Sequence, residues 1–318
     1  MKGLMTLVML LLGVAAGAQE DGALRLMFWN LENFFDYRND STSVSDAEFS
    51  SRGERHWTRK RFRTKCQAVA KTLLWAAGEC GGLPDAVGLA EVENRFVLKR
   101  LRDDTILRKL DYRILHFDSP DTRGIDVALL YRSSRLELLQ AKACHVYAGD
   151  STILPTRDIL LAHFRQGDGR DLAILVNHHP SKYGGSAVSE PRRKRAVERL
   201  RFLSDSLQRL GVERVVALGD FNDTPDAPLY QVLEPSLQNL SLPLFERGEG
   251  TIRFEGEWEL IDQIWVSQAL QTARMRILRP PFLLVPDKAY TGEKPFRTYS
   301  GPRYIGGVSD HCPVWMDY

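Results

Sequence analysis

The chain has 318 residues, of which 43% are hydrophobic and 26% charged, as in an ordinary soluble globular protein. These proportions exclude a compositionally biased chain such as a collagen-like or low-complexity protein. The formal net charge is +2, so overall charge argues neither for nor against a nucleic-acid partner.

The first twenty residues, MKGLMTLVMLLLGVAAGAQE, have the pattern of a secretory signal. A positive start at Lys2 precedes an apolar run that ends in the small-x-small sequence Ala16-Gly17-Ala18. The run is shorter than the ~20 residues that a membrane-spanning helix needs, so no transmembrane segment is predicted. We therefore expect residues 1–18 to be a signal peptide and the protein to be exported, either to the periplasm or out of the cell.

The remainder, residues 19–318, is predicted to be a single domain because no linker, repeat or low-complexity tract divides it. The four cysteines, at positions 66, 80, 144 and 312, permit three full pairings, and no disulfide is predicted from them. No protein partner is predicted.

Nine segments are rich in Val, Ile, Leu and aromatic residues and are bounded by turn-forming residues, which predicts strands. In chain order they cover residues 24–30, 85–92, 112–117, 125–132, 160–165, 172–178, 214–220, 260–267 and 312–316. Helical spacing of apolar residues predicts helices over 64–77 and 188–210. Because several strands follow one another without helices, we expect two packed sheets with helices outside rather than a doubly wound sheet.

Polar side chains of similar kinds recur at the ends of these strands. If the strands lie side by side, their ends converge on one edge, where sites form on sheet scaffolds. The residues in question are Asn30, Glu32, Glu91, Asn177, His178, Asp220 and Asn222.

The segment LGDFND, residues 218–223, runs from an apolar strand into Asp220 and Asn222. Asp and Asn favour turns, so one interpretation is that these two residues only form the turn that follows the strand. The other is that Asp220 is a carboxylate base and Asn222 an amide that orients a water molecule.

Two carboxylates indicate a metal site. Glu91 ends an apolar strand, where an unpaired carboxylate facing the interior would be costly and a divalent cation would satisfy it. Glu32, in the sequence NLEN, offers a second oxygen ligand, although loop polarity would also explain it. Carboxylates, water and phosphate oxygens are the ligands that Mg²⁺ prefers.

Histidines complete the predicted site. In VNHHPSK, His178 is the candidate and His179 the spare. Asp262 lies inside an apolar strand and needs a buried partner, and His311 is the natural one because a carboxylate fixes the tautomer of an imidazole and raises its basicity. We then expect Asp310 to bind the metal and His311 to face the reacting phosphate.

The ordered series FWNLEN, GLAEVEN, DTRGIDVALLYR, VNHHPSK, LGDFND, LIDQIWVS and SDHCPV resembles the endonuclease/exonuclease/phosphatase superfamily, whose fold is like that of deoxyribonuclease I. The resemblance covers essentially the whole of residues 19–318. It implies an α/β (α+β) fold, a four-layer α/β sandwich of two packed mixed β-sheets flanked by helices. It also implies hydrolysis of a phosphoric ester that depends on Mg²⁺ or Mn²⁺, with Ca²⁺ kept open as a structural ion.

The resemblance also implies roles. Glu91 resembles the principal metal ligand, with Asn30, Glu32 and Asp310 around it. Asp220 resembles the group that activates water, Asn222 its neighbour, and His178 and His311 the pair that holds the phosphate, with Asp262 orienting His311. The doubled histidine leaves open whether His178 or His179 is the catalytic imidazole. Arg123 is either a phosphate contact or a solvated loop charge.

The sequence leaves the substrate open. An exported nuclease is the first hypothesis, because residues 52–65 carry seven Lys or Arg against one Glu. In that stretch Trp57 and Phe62 would either stack bases or pack on the body of the protein.

A phospholipid, sphingomyelin or sugar-phosphate hydrolase is the alternative. PPFLLVP, residues 280–286, is its only candidate for membrane docking, and Arg297, Tyr299 and Tyr304 would line a pocket for a small ligand. An inactive binding protein is a remote third hypothesis, since all core groups are present.

Overall fold

The computed structural model describes residues 22–39, 43–182 and 185–318. The predicted signal peptide therefore lies outside the described residues. Within them, no helix is both long enough and apolar enough to cross a membrane. All four cysteines are in the thiol form.

Five α-helices and eighteen strands are found in the described part. The helices are α1 (Val44–Glu48), α2 (Arg59–Glu79), α3 (Arg95–Asp103), α4 (Ser186–Arg209) and α5 (Leu242–Phe245). The first ten strands are β1 (Arg25–Phe34), β2 (Ala86–Val92), β3 (Tyr112–His116), β4 (Asp126–Arg132), β5 (Leu136–Cys144), β6 (Ile159–Gln166), β7 (Asp171–His178), β8 (Arg214–Asp220), β9 (Gln238–Asn239) and β10 (Ile252–Phe254). The others are β11 (Glu257–Glu259), β12 (Asp262–Val266), β13 (Arg274–Ile277), β14 (Leu284–Pro286), β15 (Glu293–Pro295), β16 (Tyr299–Ser300), β17 (Arg303–Tyr304) and β18 (Val314–Asp317).

The strands form two mixed six-stranded sheets and three small hairpins. Sheet one has the order β13-β18-β1-β2-β4-β3, and sheet two has the order β5-β6-β7-β8-β12-β9. In each sheet one pair of strands is parallel, β1 with β2 and β7 with β8, and the other pairs are antiparallel.

Three apolar cores separate four layers. One core packs α2 and α3 against the outer face of sheet one, the second fills the space between the sheets, and the third packs α4 against the outer face of sheet two. The sheets approach closely at Gly88, where an added Cβ would lie 2.4 Å from Leu218 Cδ1 of the facing sheet. The predicted four-layer α/β sandwich is confirmed.

Local sequence explains where the helices begin. Thr58 caps α2, and the side chain of Asn94 accepts a hydrogen bond of 3.0 Å from Val97 N at the start of α3. The predicted helix over 64–77 is longer at both ends, and α3 was not predicted. Strand β1 continues to Phe34, beyond the predicted end at residue 30.

Candidate active site

Strand register places three of the predicted side chains in one row. Strand β7 runs parallel to β8 and pairs His178 with Asp220, and β12 runs antiparallel to β8 and pairs Asp262 with Asp220. In sheet one, the parallel pair β1 and β2 brings Asn30 beside the residue that precedes Glu91. We call the edge of the sandwich where these five residues lie the rim.

His311 joins the rim from the segment before β18. The indole Nε1 of Trp29 donates a hydrogen bond of 2.8 Å to the carbonyl of His311. Ser309 Oγ donates to the carbonyl of Asn30 at 2.6 Å and accepts from the backbone N–H of His311 at 3.0 Å. These bonds attach the segment to β1 and fix the backbone position from which the side chain of His311 projects.

His311 and Asp262 form a buried pair. His311 Nδ1 lies 2.7 Å from Asp262 Oδ2, and His311 Nε2 lies 3.9 Å from Asp220 Oδ2. Burial alone would lower the pKa of His311, but the carboxylate of Asp262, followed by that of Asp220, raises it well above its usual value. The ring is therefore held as an imidazolium at neutral pH, with Nε2 facing the centre of the rim.

Asp220 is buried and held on both oxygens. Asn30 Nδ2 donates to Oδ2 at 2.9 Å, and the backbone N–H of Asn222 donates to Oδ1 at 2.9 Å. Burial, followed by the nearby charge of Asp262 and opposed by that of His311, raises the pKa of Asp220 to about 7. A carboxyl with that pKa is suited to accept a proton near neutral pH.

The two adjacent histidines have different surroundings. His178 Nε2 lies 3.6 Å from Asp220 Oδ2, and burial, followed by the positive charge of Arg157, lowers the pKa of His178 well below its usual value. The ring of His179 instead packs on Phe221 with centroids 4.6 Å apart, and neither of its ring nitrogens has a hydrogen-bond partner among the described residues. The structure thus places the imidazole of His178 beside the carboxyl of Asp220, whereas His179 contacts Asp220 only through its backbone N–H, which donates to the carbonyl of Asp220 at 2.9 Å.

Asn222 turns its side chain away from Asp220. Its Nδ2 donates to the carbonyl of His179 at 2.9 Å, which links the loop after β8 to the end of β7. Its backbone amide, rather than its side chain, is the group that contacts the predicted base.

Two predicted metal ligands share one arginine. Arg297 Nε lies 3.2 Å from Glu32 Oε1, and another guanidinium nitrogen lies 3.0 Å from Asp310 Oδ2. The backbone N–H of Thr298 donates to Glu32 Oε2 at 2.6 Å. Burial, followed by the charge of Asp310, raises the pKa of Glu32 to about 7. Arg297, predicted as a substrate contact, therefore bridges the carboxylates themselves.

Glu91 lies beside the same group. Its Oε2 accepts a hydrogen bond of 2.7 Å from the backbone N–H of Asn33 and lies 3.7 Å from a guanidinium nitrogen of Arg123. The side-chain oxygen of Asn33 accepts from Arg123 at 2.8 Å. The side chain of Arg123 is 42% exposed, so it sits at the rim with its charge open to a ligand.

The backbone at the rim is left-handed in four places. Glu32, Asn33, Glu91 and Asn222 have φ values of 45°, 50°, 58° and 52°. Such values are uncommon outside glycine and are often found at functional sites, where surrounding contacts hold them. They end the regular strand pairing and turn the side chains out of the sheet faces, which is why β1 and β2 show a register shift between Asn30 and Phe34.

Lys65 was not predicted as a site residue. It lies in the basic stretch 52–65, where a lysine suggests a solvated face, yet it is 2% exposed and its Nζ donates to the carbonyl of Glu32 at 2.6 Å. Burial, opposed by Glu32 and Asp310, lowers the pKa of Lys65 to about 8. The helical spacing of Lys65 with Phe62, Cys66 and Val69 was the sequence feature that could have indicated its burial.

The aromatic residues near the rim are core residues. Trp57 and Phe62 are each 1% exposed, so the interpretation that they stack bases is wrong. Tyr299 is also buried, packs edge-on against Phe49 and donates its hydroxyl to the carbonyl of Arg55 at 3.0 Å. A ring held in this way does not line a pocket, so the role predicted for Tyr299 is corrected. Tyr304 is half-buried against Tyr299, with centroids 5.6 Å apart.

The residues at the rim fit a divalent cation. Glu32, Asp310 and Glu91 supply hard oxygen donors, which is the donor set that Mg²⁺ and Mn²⁺ take. Two other groups of potential ligands have donor atoms within 4.8 Å of one another: one is His116, Asp118 and Asp126, and the other, at the rim, is Asp220, Asp262 and His311. In the group at the rim, His311 Nδ1 already pairs with Asp262 Oδ2, and Asp220 Oδ2 already accepts a hydrogen bond from Asn30. Glu32, Glu91, Asp310 and Asn30 stay the predicted metal ligands; Glu32 and Asp310 also contact Arg297, and Asn30 also donates to Asp220.

Several solved structures share this architecture. The human Nocturnin catalytic domain with bound sulfate aligns with a TM-score of 0.57 and 17% identity over 93% of this chain and 94% of that one. D. rerio TDP2 complexed with a single-strand DNA product aligns with a TM-score of 0.57 and 15% identity, covering 93% and 99%. A mannosyl-6-phosphatase from Bacteroides thetaiotaomicron aligns with a TM-score of 0.56 and 14% identity, covering 92% and 98%. At such low identity these similarities show the fold alone.

No curated protein matches the sequence. The sequence does match the Endonuclease/Exonuclease/phosphatase family over residues 25–318, which is nearly all of the described part. Enzymes of this family hydrolyse phosphoric esters with the help of divalent metals, and both the acidic groups and the buried imidazoles at the rim agree with that chemistry. The chain therefore belongs to the Endonuclease/Exonuclease/phosphatase family.

Proposed function

We propose that this protein is an exported phosphodiesterase that cleaves nucleic acid with the help of Mg²⁺ or Mn²⁺. The observation that carries the proposal is the row formed by His178, Asp220 and Asp262, with His311 closing it. It combines a buried carboxylate of raised pKa with a buried imidazolium, which are a base and an acid facing one substrate position.

The chain's own groups divide the reaction between them. Asp220, held by Asn30, takes a proton from water as the water oxygen bonds to phosphorus in line with the leaving oxygen. As that phosphorus–oxygen bond breaks, His311 donates its Nε2 proton to the leaving oxygen, and Asp262 stabilises the imidazolium beforehand. A divalent ion bound to the carboxylates would polarise the phosphoryl oxygens. Arg123 adds positive charge at the edge of the rim.

Charge near the rim favours a nucleic acid as substrate. The basic stretch leads into α2, and Arg52, Arg59, Lys60 and Arg63 are exposed there. Tyr299 joins that stretch to the segment before β18 through its bond to the carbonyl of Arg55. Cationic side chains along one approach to the site would follow a phosphate backbone without reading its sequence.

The proposed export depends on residues 1–18, whose positive start, apolar run and small-x-small end fit a cleavable signal. N-terminal sequencing of the protein recovered from the producing cells tests it. A mature N-terminus at residue 19 outside the cytoplasm supports export, and a full-length chain in the cytoplasm refutes it.

A substrate panel tests the function. Plasmid DNA, RNA, sphingomyelin, inositol phosphates and bis(p-nitrophenyl) phosphate are each incubated with the protein and Mg²⁺ or Mn²⁺. We expect cleavage of DNA or RNA that EDTA removes and that Asp220→Ala lowers at least a hundredfold. Cleavage of the lipid or the sugar phosphates alone would overturn the nuclease assignment but keep the phosphoesterase.

A sugar-phosphate hydrolase is the second candidate, and one cavity favours it. A groove of about 350 Å³ is lined by Arg253, Trp258, Arg279, Leu284 and Glu293. Arg279 donates to the carbonyl of Gly250 at 2.9 Å. The next residue, Thr251, accepts hydrogen bonds from the backbone N–H groups of Asp262 and Cys312, which connects the lining of the groove to the segments that carry Asp262 and His311. Its volume is that of a pocket for one small ligand, and not for a duplex.

The lipid alternative receives less support. In the segment 280–286, Leu283 is buried and Phe282 packs on the first core beneath the ammonium of Lys71, 3.8 Å from its ring centroid. The loop that follows at residues 287–292 carries Asp287 and Lys288. A membrane-docking hairpin requires exposed apolar side chains, which this segment mostly buries.

A further inference from the structure

The side chain of Lys65 runs from α2 to the underside of the rim. Its Nζ donates hydrogen bonds to the carbonyl of Glu32 at 2.6 Å and to Thr298 Oγ1 at 2.9 Å. The rings of Phe34 and Trp57 lie 5.6 and 5.9 Å from the ammonium. A buried ammonium is costly unless it is paired and hydrogen-bonded, so its contacts must repay a large desolvation cost.

Both contacts lead to the same residue. Lys65 binds the carbonyl of Glu32 directly, and Glu32 has the left-handed φ of 45° that turns its carboxylate towards the rim. Lys65 also binds the hydroxyl of Thr298, whose backbone N–H donates to Glu32 Oε2 at 2.6 Å. That hydroxyl in turn donates to the carbonyl of Val308 at 3.1 Å. Lys65 thus holds the backbone of Glu32 directly and its carboxylate indirectly, through Thr298.

A second role for the ammonium would be purely electrostatic. Its charge acts on the carboxylates of Glu32, Asp310 and Glu91 together. A fixed positive charge behind these groups would compete with a metal ion in front of them. The two roles predict opposite outcomes on removal of the ammonium, weaker ion binding if it positions Glu32 and tighter ion binding if it only repels the ion.

We propose that Lys65 is a positioning residue of the metal site, which holds the left-handed turn at Glu32 and, through Thr298, the direction of its carboxylate. The inference rests on the proposed metal-dependent function. It adds to the site a residue that touches neither the substrate nor the ion.

The test is a titration of the purified protein with Mn²⁺ alone, in which electron paramagnetic resonance measures the free Mn²⁺ and so gives the Kd. Lys65→Met keeps the length of the side chain and removes its donors. We expect its Kd for Mn²⁺ to rise about 10–100-fold, the usual effect of losing a group that orients a metal ligand. Lys71→Met is the matched control, on the same helix but exposed, and its Kd should equal that of the wild type.

An unchanged or tighter Kd in Lys65→Met would overturn the proposal. Failure of the wild-type protein to bind Mn²⁺ would instead remove the metal from the proposed function, so the two failures are distinct.

A second pair of variants decides the question if Lys65→Met does not fold. Thr298→Val removes the hydroxyl that receives the ammonium and nearly keeps the side-chain volume, whereas Thr298→Ser retains the hydroxyl. We expect weaker Mn²⁺ binding in the valine variant and near wild-type binding in the serine variant. Equal binding in the two would overturn the role of the hydroxyl and with it the proposal.

Discussion

Replacing Asp262 with asparagine should remove most of the catalytic power of His311. The side chain keeps its shape, but the negative charge 2.7 Å from His311 Nδ1 is lost. Since Asp262 is the main group that raises the pKa of the buried imidazole, the ring of Asp262→Asn should lose its proton near neutral pH. The leaving oxygen then departs without a proton donor.

The magnitude follows from what proton transfer contributes. General acid–base catalysis supplies typically ~10²–10⁴-fold, which equals about 3–5 kcal/mol of barrier. We therefore expect kcat/KM of Asp262→Asn on a dinucleotide to fall by about 10²–10⁴. The loss should be smaller with bis(p-nitrophenyl) phosphate, because nitrophenolate leaves without protonation. Both rates are measured at saturating Mn²⁺ so that the ion is not limiting.

A matched control exists at the other end of the sheet. His163 Nε2 lies 2.9 Å from Asp171 Oδ2, a pair of similar length at the start of β7, whereas the rim lies at the end of β7. Asp171→Asn should leave the rate unchanged. If Asp262→Asn keeps its rate on the dinucleotide within about threefold of the wild type, His311 is not the acid and the roles assigned above fail.

Two further predictions concern the same cluster. Because protonated Asp220, with a pKa of about 7, cannot accept a proton from water, kcat/KM should rise with pH to about 7 and fall again only where His311 deprotonates. A rate already maximal at pH 5 would contradict this. His178→Ala should lower kcat at least a hundredfold, while His179→Phe, which keeps a ring against Phe221, should stay within about threefold. The reverse pattern would move the catalytic role to the second histidine.

The sequence predicted the positions of the rim groups because their signal is local. An apolar run that ends in Asp220, His178 or Glu91 marks the end of a buried strand, and parallel neighbours bring such ends together. The pairing of Asp262 with His311 was also predictable from the sequence, because a carboxylate within an apolar strand requires a partner. Each of these inferences needed only a strand pattern and the cost of an unpaired charge.

The exposure of single residues could not be predicted in the same way. The stretch 52–65 looks uniformly basic, and only the position of α2 over sheet one decides that Arg59 faces solvent and Lys65 faces Glu32. The same packing turns Trp57 and Phe62 into core residues rather than a stacking surface. Which face of a helix is buried depends on the sheet beneath it, and a run of charges hides the apolar period that would reveal it.

The buried residues of the rim are proposed to carry out the reaction, and the exposed segments around it are proposed to select the substrate. Asp220, Asp262 and His311 are buried, with His311 hydrogen-bonded to Asp262 and 3.9 Å from Asp220, and none of these groups is specific for one phosphoric ester. Under the proposed function, the surrounding segments decide what reaches the rim; they carry exposed arginines before and within α2 and, elsewhere, the groove lined by Trp258. Proteins of this fold that act on different substrates can therefore share one centre and differ in the segments around it.

For this chain the basic stretch and the groove at Trp258 give separate predictions. Charge removal at Arg59 and Arg63 should weaken binding of a nucleic acid in a salt-dependent manner and spare a sugar phosphate, while Trp258→Ala should do the opposite. If both changes affect only the sugar phosphate, the nuclease proposal loses its structural support.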